Sequence, residues 1–172
     1  MSKVLIVEDE LLVARSMATL LGRHGHTVVA AVATAVDAVT AARAHAPDLV
    51  LMDIHLRGDL DGIEAARRIR SEQDVPIVFL TAFADSAHLD RAKASEPHAY
   101  LVKPYRDQDL LTTIEVVVHK HQRDRERDSG DRWLATTLQS LGEAVIGVDR
   151  DERVRLVNRA AEHLSGWSQG AA

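Results

Sequence analysis

Leu49-Val50-Leu51-Met52-Asp53 decides the fold: four apolar residues run without interruption into a carboxylate. An unbroken apolar run bounded by polar residues reads as a strand buried on both faces, as in a parallel sheet. In open α/β sheets, ligand sites lie outside the carboxyl ends of the strands. Asp53 comes just past such an end, where chemistry is normally done. A lone aspartate there would equally well cap a turn, so the flanking sequence has to choose between the two readings.

Working outward, the same pattern recurs. Lys3-Val4-Leu5-Ile6-Val7 is a buried strand that runs into Glu8-Asp9-Glu10. Leu12, Val13, Met17, Leu20 and Leu21 then return at helical spacing, with Gly22 expected to close the helix. Thr27 to Val32 is a second strand, and Thr34 with Asp37 three residues on reads as the cap of an alanine-rich helix. Beyond Asp53, an irregular loop from Ile54 to Leu60 leads to Asp61-Gly62-Ile63-Glu64, a capping-box-like start to a helix that carries Ile63, Ala66 and Ile69 inward. Pro76 to Leu80 is a fourth strand ending at Thr81-Ala82, and Asp85 to Ala94 a fourth helix. Ala99-Tyr100-Leu101-Val102 is a fifth strand ending at Lys103-Pro104. A fifth helix follows from about Asp107, striped by Leu110, Leu111, Ile114, Val117 and Val118. Five strands alternating with five helices predict an α/β fold, a parallel sheet covered on both faces with right-handed crossovers.

Composition narrows the function. The 172 residues suffice for one ordinary domain and a smaller piece. Apolar and charged fractions of 46% and 27% are those of a globular protein, and 3% aromatics require an aliphatic core. A net charge of −5 argues against direct nucleic-acid binding. Without cysteine there is no disulfide, zinc-thiolate site or thiol nucleophile. The first strand begins almost at the first residue, which leaves no room for a signal peptide. No apolar stretch approaches the ~18 residues of a membrane span. A cytoplasmic protein is expected. The nine histidines are scattered and read as ordinary polar residues.

In a parallel sheet, the residues that follow each strand share one edge. Glu8, Asp9, Asp53, Thr81 and Lys103 therefore converge. Together they suit the acceptance of a phosphoryl group. Clustered carboxylates bind a hard cation such as Mg2+, which neutralises the oxygens of an incoming phosphoryl group. A carboxylate can act as nucleophile and form an acyl phosphate. Lys103 supplies a point charge, Thr81 a hydroxyl donor, and small Ala82 leaves space for the donor. Positioning and charge do most of the work in such a transfer.

At Val7-Glu8-Asp9-Glu10, Leu51-Met52-Asp53-Ile54, Leu80-Thr81-Ala82 and Tyr100-Leu101-Val102-Lys103-Pro104-Tyr105, the chain closely resembles the receiver domain of two-component response regulators. The resemblance covers roughly the first 120 residues. It implies a flavodoxin-like, doubly wound five-stranded sheet in the order 2-1-3-4-5. It also implies Asp53 as phosphoacceptor and Mg2+ on Asp9, Asp53 and the backbone carbonyl of His55, with Glu8 acting mainly through water. Thr81, Ala82 and Lys103 would bind the phosphoryl group, Thr81 and Tyr100 would form a switch pair, and Lys103–Pro104 would be cis. The implied partner is a histidine kinase or phosphotransfer protein.

Residues 121–132 read as a charged helical linker, which Ser129-Gly130 is expected to break or bend, with Asp131 able to cap a new helix. That helix carries Trp133, Leu134, Leu138 and Leu141. Ala144 to Val148 and Val154 to Val157 read as a hairpin about the turn Asp149-Arg150-Asp151-Glu152, and Asn158 caps a last short helix running to Trp167. Over 133–172 this resembles the opening of a PAS domain, a truncated fragment whose orphaned apolar faces, with the outer members of the Leu110, Ile114, Val117 and Val118 stripe, are expected to pair with a second copy. Asp53 phosphorylation would change that association.

Competing readings fit less well. A Mg2+-dependent phosphohydrolase of the haloacid-dehalogenase type places a second aspartate two residues after its nucleophile, on the first strand; here that residue is His55, on the third. A histidine kinase would need a phosphoacceptor-histidine motif and a Gly-rich nucleotide segment. The chain is therefore not expected to be an enzyme. The alternative kept is a phosphorylation-independent dimerisation or interaction module, which would need a broken site.

Overall fold

The computed structural model describes residues 1–82, 98–140, 142–148 and 153–165. The expected helix from Asp85 to Ala94, Leu141, the turn from Asp149 to Glu152 and Gly166-Trp167 lie outside them. The chain divides into two compact units, Met1–His121 and Gln122–Ala172.

In the first unit, β1 (Lys3–Val7), β2 (Thr27–Val32), β3 (Leu49–Asp53), β4 (Ile77–Ala82) and β5 (Ala99–Lys103) form one sheet in the order β2-β1-β3-β4-β5, and each pairing is parallel. This is the doubly wound order the sequence predicts. Alternate side chains of a strand point to opposite faces, and here both faces are dry. Leu5, Val7, Val50, Met52 and Phe79 belong to one core, together with the alanines of α2 (Ala35–His45) and with Ile63, Ala65, Ala66 and Ile69 of α3 (Gly62–Glu72). Val4, Ile6, Leu49, Leu51, Val78 and Leu80 belong to the other, with Ala14, Met17 and Leu21 of α1 (Leu11–Arg23) and Leu110, Ile114, Val117 and Val118 of α4 (Asp107–Ser140). β3 is buried along its whole length, which is why it reads as an uninterrupted apolar run. Each fully buried Leu, Ile, Val or Met contributes about 1.5–3 kcal/mol of transfer free energy, so the edge of this sheet is rigidly held.

Local signals behave as their chemistry dictates, with three corrections. Thr34 accepts from the Asp37 amide (3.1 Å) and Asp61 from the Glu64 amide (2.9 Å), which caps α2 and α3. The first helix does not close at Gly22. It continues to Arg23, and the left-handed residue that ends the excursion is Gly25 (φ 80°), as αL termination requires. Ser129-Gly130 does not break the chain either: α4 is continuous from Asp107 to Ser140. A single glycine costs a helix only about 1 kcal/mol relative to alanine, too little to end a helix of 34 residues. Third, Leu110, Ile114, Val117 and Val118 are all buried in the core of the first unit. No outer member of that stripe is left for a second copy. Among the described residues of this stripe's neighbourhood, Val116 is exposed.

In the second unit, β6 (Ile146–Val148) and β7 (Val154–Val157) form an antiparallel hairpin, followed by α5 (Arg159–Ser165). Asn158 ties it together. Its Oδ1 accepts from the amides of Val145 (2.8 Å) and Ala161 (3.0 Å), and its Nδ2 donates to the Glu143 carbonyl (2.8 Å). The cap anticipated for the last helix is thus also the hairpin's clasp. The side chains of Leu134, Leu138 and Leu141 lie outside the described set; Trp133 and Leu164 are exposed. Among the described residues, no helix is long and apolar enough to cross a membrane.

Candidate functional site

Strand register brings the acidic residues together. Val7 pairs with Met52, so Glu8 and Asp53 each stand one residue past the same rung. Asp53 pairs with Leu80, Thr81 with Val102 and Ala82 with Lys103. The two carboxylates, the hydroxyl and the ammonium therefore occupy consecutive rungs at one edge.

Lys103 joins them. Its Nζ donates to Asp53 Oδ2 at 2.6 Å and to Glu8 Oε2 at 2.7 Å. Glu8 and Asp53 are both buried. Burial of a carboxylate favours its neutral form, and desolvation raises the Glu8 carboxyl above its ordinary value; the Lys103 hydrogen bond opposes this, and the negative charge of Asp53 adds to it. For Lys103, desolvation works to lower the pKa, but the hydrogen bonds to Asp53 and Glu8 outweigh it and leave the pKa raised. Lys103 therefore stays charged. The bond into Pro104 is cis.

The second oxygen of Asp53 is fixed from its own loop, where Oδ1 accepts from the His55 amide at 2.9 Å. Asp9 completes a group of three carboxylates, with Glu8 and Asp53, whose ligand atoms all lie within 4.8 Å of one another. Three hard oxygen donors at that spacing fit Mg2+, which takes carboxylates together with waters and phosphate oxygens.

Thr81 is buried at the end of β4, its hydroxyl donating to the Ala82 carbonyl at 3.2 Å. Ala82 is exposed. Tyr100 packs against the core on the α2–α3 side, its ring stacked on Phe79 with centroids 6.0 Å apart. Its hydroxyl is buried without a hydrogen-bond partner among the described residues, and desolvation raises its pKa.

Two features of the site were not read from the sequence. Gly62 opens α3 directly beneath the phosphoacceptor candidate: a Cβ at this position would lie 1.9 Å from the Asp53 carbonyl oxygen and 2.9 Å from its carbonyl carbon. Its amide donates to the Ile54 carbonyl at 3.0 Å. Only glycine permits that approach. The second is Arg57, whose Nε donates to Asp9 Oδ2 at 2.8 Å.

A doubly wound sheet with an acidic, lysine-bridged site past its strand ends defines a phosphoacceptor-type α/β module. Comparison with known proteins makes the assignment specific. Residues 4–115 match the family "Response regulator receiver domain", and residues 133–172 match "PAS fold". Among curated proteins, the chain is 39% identical over 139 residues to the transcriptional regulatory protein PdtaR of Mycobacterium tuberculosis, covering 81% of this chain and 66% of that protein. It is 30% identical over 163 residues to the DNA-binding response regulator MtrA of Mycobacterium leprae, covering 95% and 65%. The chain thus spans just under two thirds of the length of these relatives. Among solved structures it is similar to the signal receiver domain of a modulated diguanylate cyclase from Desulfovibrio desulfuricans G20, with a TM-score of 0.69 and 36% identity over 72% of this chain and 98% of that one. It is also similar to the N-terminal domain of a response regulator/sensory box/GGDEF protein from Carboxydothermus hydrogenoformans, with a TM-score of 0.64 and 32% identity over 71% and 98%. The chain belongs to the response regulator receiver domain family, and a PAS-fold stretch follows its receiver. The curated relatives named above are regulatory proteins.

Proposed function

We propose that the receiver, residues 1–120, takes a phosphoryl group from the phosphohistidine of a cytoplasmic histidine kinase or phosphotransfer protein onto Asp53, and passes the change through a linker, 121–132, to the PAS-like fragment, 133–172. The observation that carries this reading is the double contact of Lys103 with Asp53 and Glu8 at the sheet edge, in a chain of the receiver family.

Asp53 Oδ2 is the attacking atom in this scheme. The phosphorus–nitrogen bond of the donor breaks as the oxygen–phosphorus bond forms, and the leaving imidazole takes a proton. Glu8, Asp9, Asp53 and the backbone carbonyl of His55 would hold Mg2+, which supplies charge neutralisation to the transferred oxygens. Lys103 moves its hydrogen bond from Asp53 Oδ2 to a phosphoryl oxygen and keeps its contact with Glu8. Exposed Ala82 leaves room for the donor. Thr81 turns its hydroxyl from the Ala82 carbonyl to the phosphoryl group. Tyr100, whose ring already packs inward, completes the switch by filling the space behind Thr81. The chain acts as acceptor and signal carrier rather than as an enzyme, and its output is a change in self-association through surfaces of the second unit such as Trp133 and Leu164, both exposed.

The test is incubation with acetyl phosphate with and without Mg2+, followed by intact mass. One phosphoryl group per chain, dependent on Mg2+ and lost in Asp53→Asn, is expected. Labelling of Asp53→Asn at the original rate contradicts the assignment. Sedimentation velocity with and without beryllofluoride tests the output; an unchanged association constant removes that part alone.

A further inference from the structure

Every carboxylate of the triad has a cationic partner, and the two cations are held in different ways. Lys103 serves both Glu8 and Asp53 and is only 27% exposed. Arg57 serves Asp9 alone and is 82% exposed. It stands in the loop after β3, and Gly58, at φ 117°, turns the chain immediately after it. The guanidinium therefore reaches Asp9 from solvent, over the mouth of the site, and not from the core.

A metal ion bound between Glu8, Asp9 and Asp53 would share the Asp9 carboxylate with Arg57, which already holds its Oδ2. The guanidinium cannot deprotonate to make way, so the two cations repel each other and compete for one carboxylate. Arg57 is the exposed end of the pair, Asp9 being only 14% exposed; solvent-facing ion pairs are typically worth about 0.2–1 kcal/mol, and the guanidinium has solvent to move into. Lys103, more buried and doubly bound, is held more tightly.

We infer that Arg57 is a displaceable cation on Asp9, which neutralises the outer carboxylate of the triad until a divalent ion replaces it and thereby sets the metal affinity of the site. This rests on the reading of Glu8, Asp9 and Asp53 as a Mg2+ site. The arrangement keeps the acidic edge neutralised without metal and frees the Arg57 side chain only in the loaded protein.

The test measures Mg2+ affinity directly, by calorimetric titration of the full chain. Arg57→Gln is expected to bind Mg2+ roughly 1.5- to 5-fold more tightly than wild type, the range an exposed ion pair supports. Arg68→Gln is the control: Arg68 pairs with Glu64 on α3 at 3.0 Å and touches none of the triad, and it should shift the affinity less. In wild type, the Arg57 Nε–H resonance should move on Mg2+ addition, a readout that needs no variant. Equal or weaker binding by Arg57→Gln, an equal gain in Arg68→Gln, or an unmoved Arg57 resonance overturns the inference and leaves the metal site standing. Absence of Mg2+ binding by wild type removes both.

Discussion

Gly62→Ala is the most informative small change in the molecule. The added methyl carbon would stand 1.9 Å from the Asp53 carbonyl oxygen, about 1.5 Å inside the distance at which ordinary contact begins. Neither partner is the end of a flexible side chain. One is the last residue of a strand paired on both sides, and the other opens α3 with its amide on Ile54. Either β3 or α3 must shift, and overpacking of this kind costs about 1–3 kcal/mol. The larger consequence is positional, because the residue pushed is the proposed phosphoacceptor. A displacement of about 1 Å in a reacting group can cost on the order of 100-fold in rate. Urea denaturation gives the stability loss, and the rate of acetyl phosphate labelling gives the chemistry. The expected result is a modest loss of stability and a much larger loss of rate. A variant that labels at the wild-type rate with less than about 0.5 kcal/mol lost would refute the close-approach reasoning.

Three further outcomes follow from the same geometry. Lys103→Gln leaves Glu8 and Asp53 buried without their cation, and urea denaturation should show a loss of about 3 kcal/mol without metal, partly restored by Mg2+; equal losses in both conditions would mean that no ion reaches these carboxylates. The Glu8 carboxyl titrates above its ordinary 4.5 because of burial. Its neutral form therefore stabilises the metal-free fold below pH 4.5, that contribution disappears as pH rises through the raised pKa, and protons begin to displace Mg2+ above pH 4.5; carboxyl NMR showing a midpoint at or below 4.5 contradicts this. Asn158→Ala strands the Val145 amide and the Glu143 carbonyl, which should cost the second unit about 1–3 kcal/mol, seen as lost amide protection confined to β6, β7 and α5.

What could be read from the chain, and what could not, divides along physical lines. β3 was legible because burial on both faces leaves no polar residue in the run, and its register with β1 and β4 follows from the parallel sheet that such runs imply. Asp53 was legible for the same reason, as the polar residue that ends a buried strand; Lys103 was legible as the charged residue that ends a half-buried strand just before a proline. Gly62 was hidden, since a helix start in Asp-Gly-Ile-Glu is satisfied by capping alone and nothing local reports the backbone passing underneath. Arg57 was hidden as well, because a charged residue in an irregular loop has no periodicity to declare its partner 48 positions away. The expected break or bend at Ser129-Gly130 failed because a glycine's local preference of about 1 kcal/mol is weak against a helix of 34 residues. The self-association argument drew on an apolar stripe that the receiver's own core consumes.

The central claim is that Asp53 carries the phosphoryl group. Borohydride reduction of the acetyl phosphate-treated protein, followed by peptide mapping, tests it most directly, because an aspartyl phosphate is converted to homoserine at the residue that bore it. The account predicts homoserine at position 53, dependent on Mg2+ and absent without the phosphodonor. Homoserine at Asp9 or Asp59 with position 53 unmodified would contradict it.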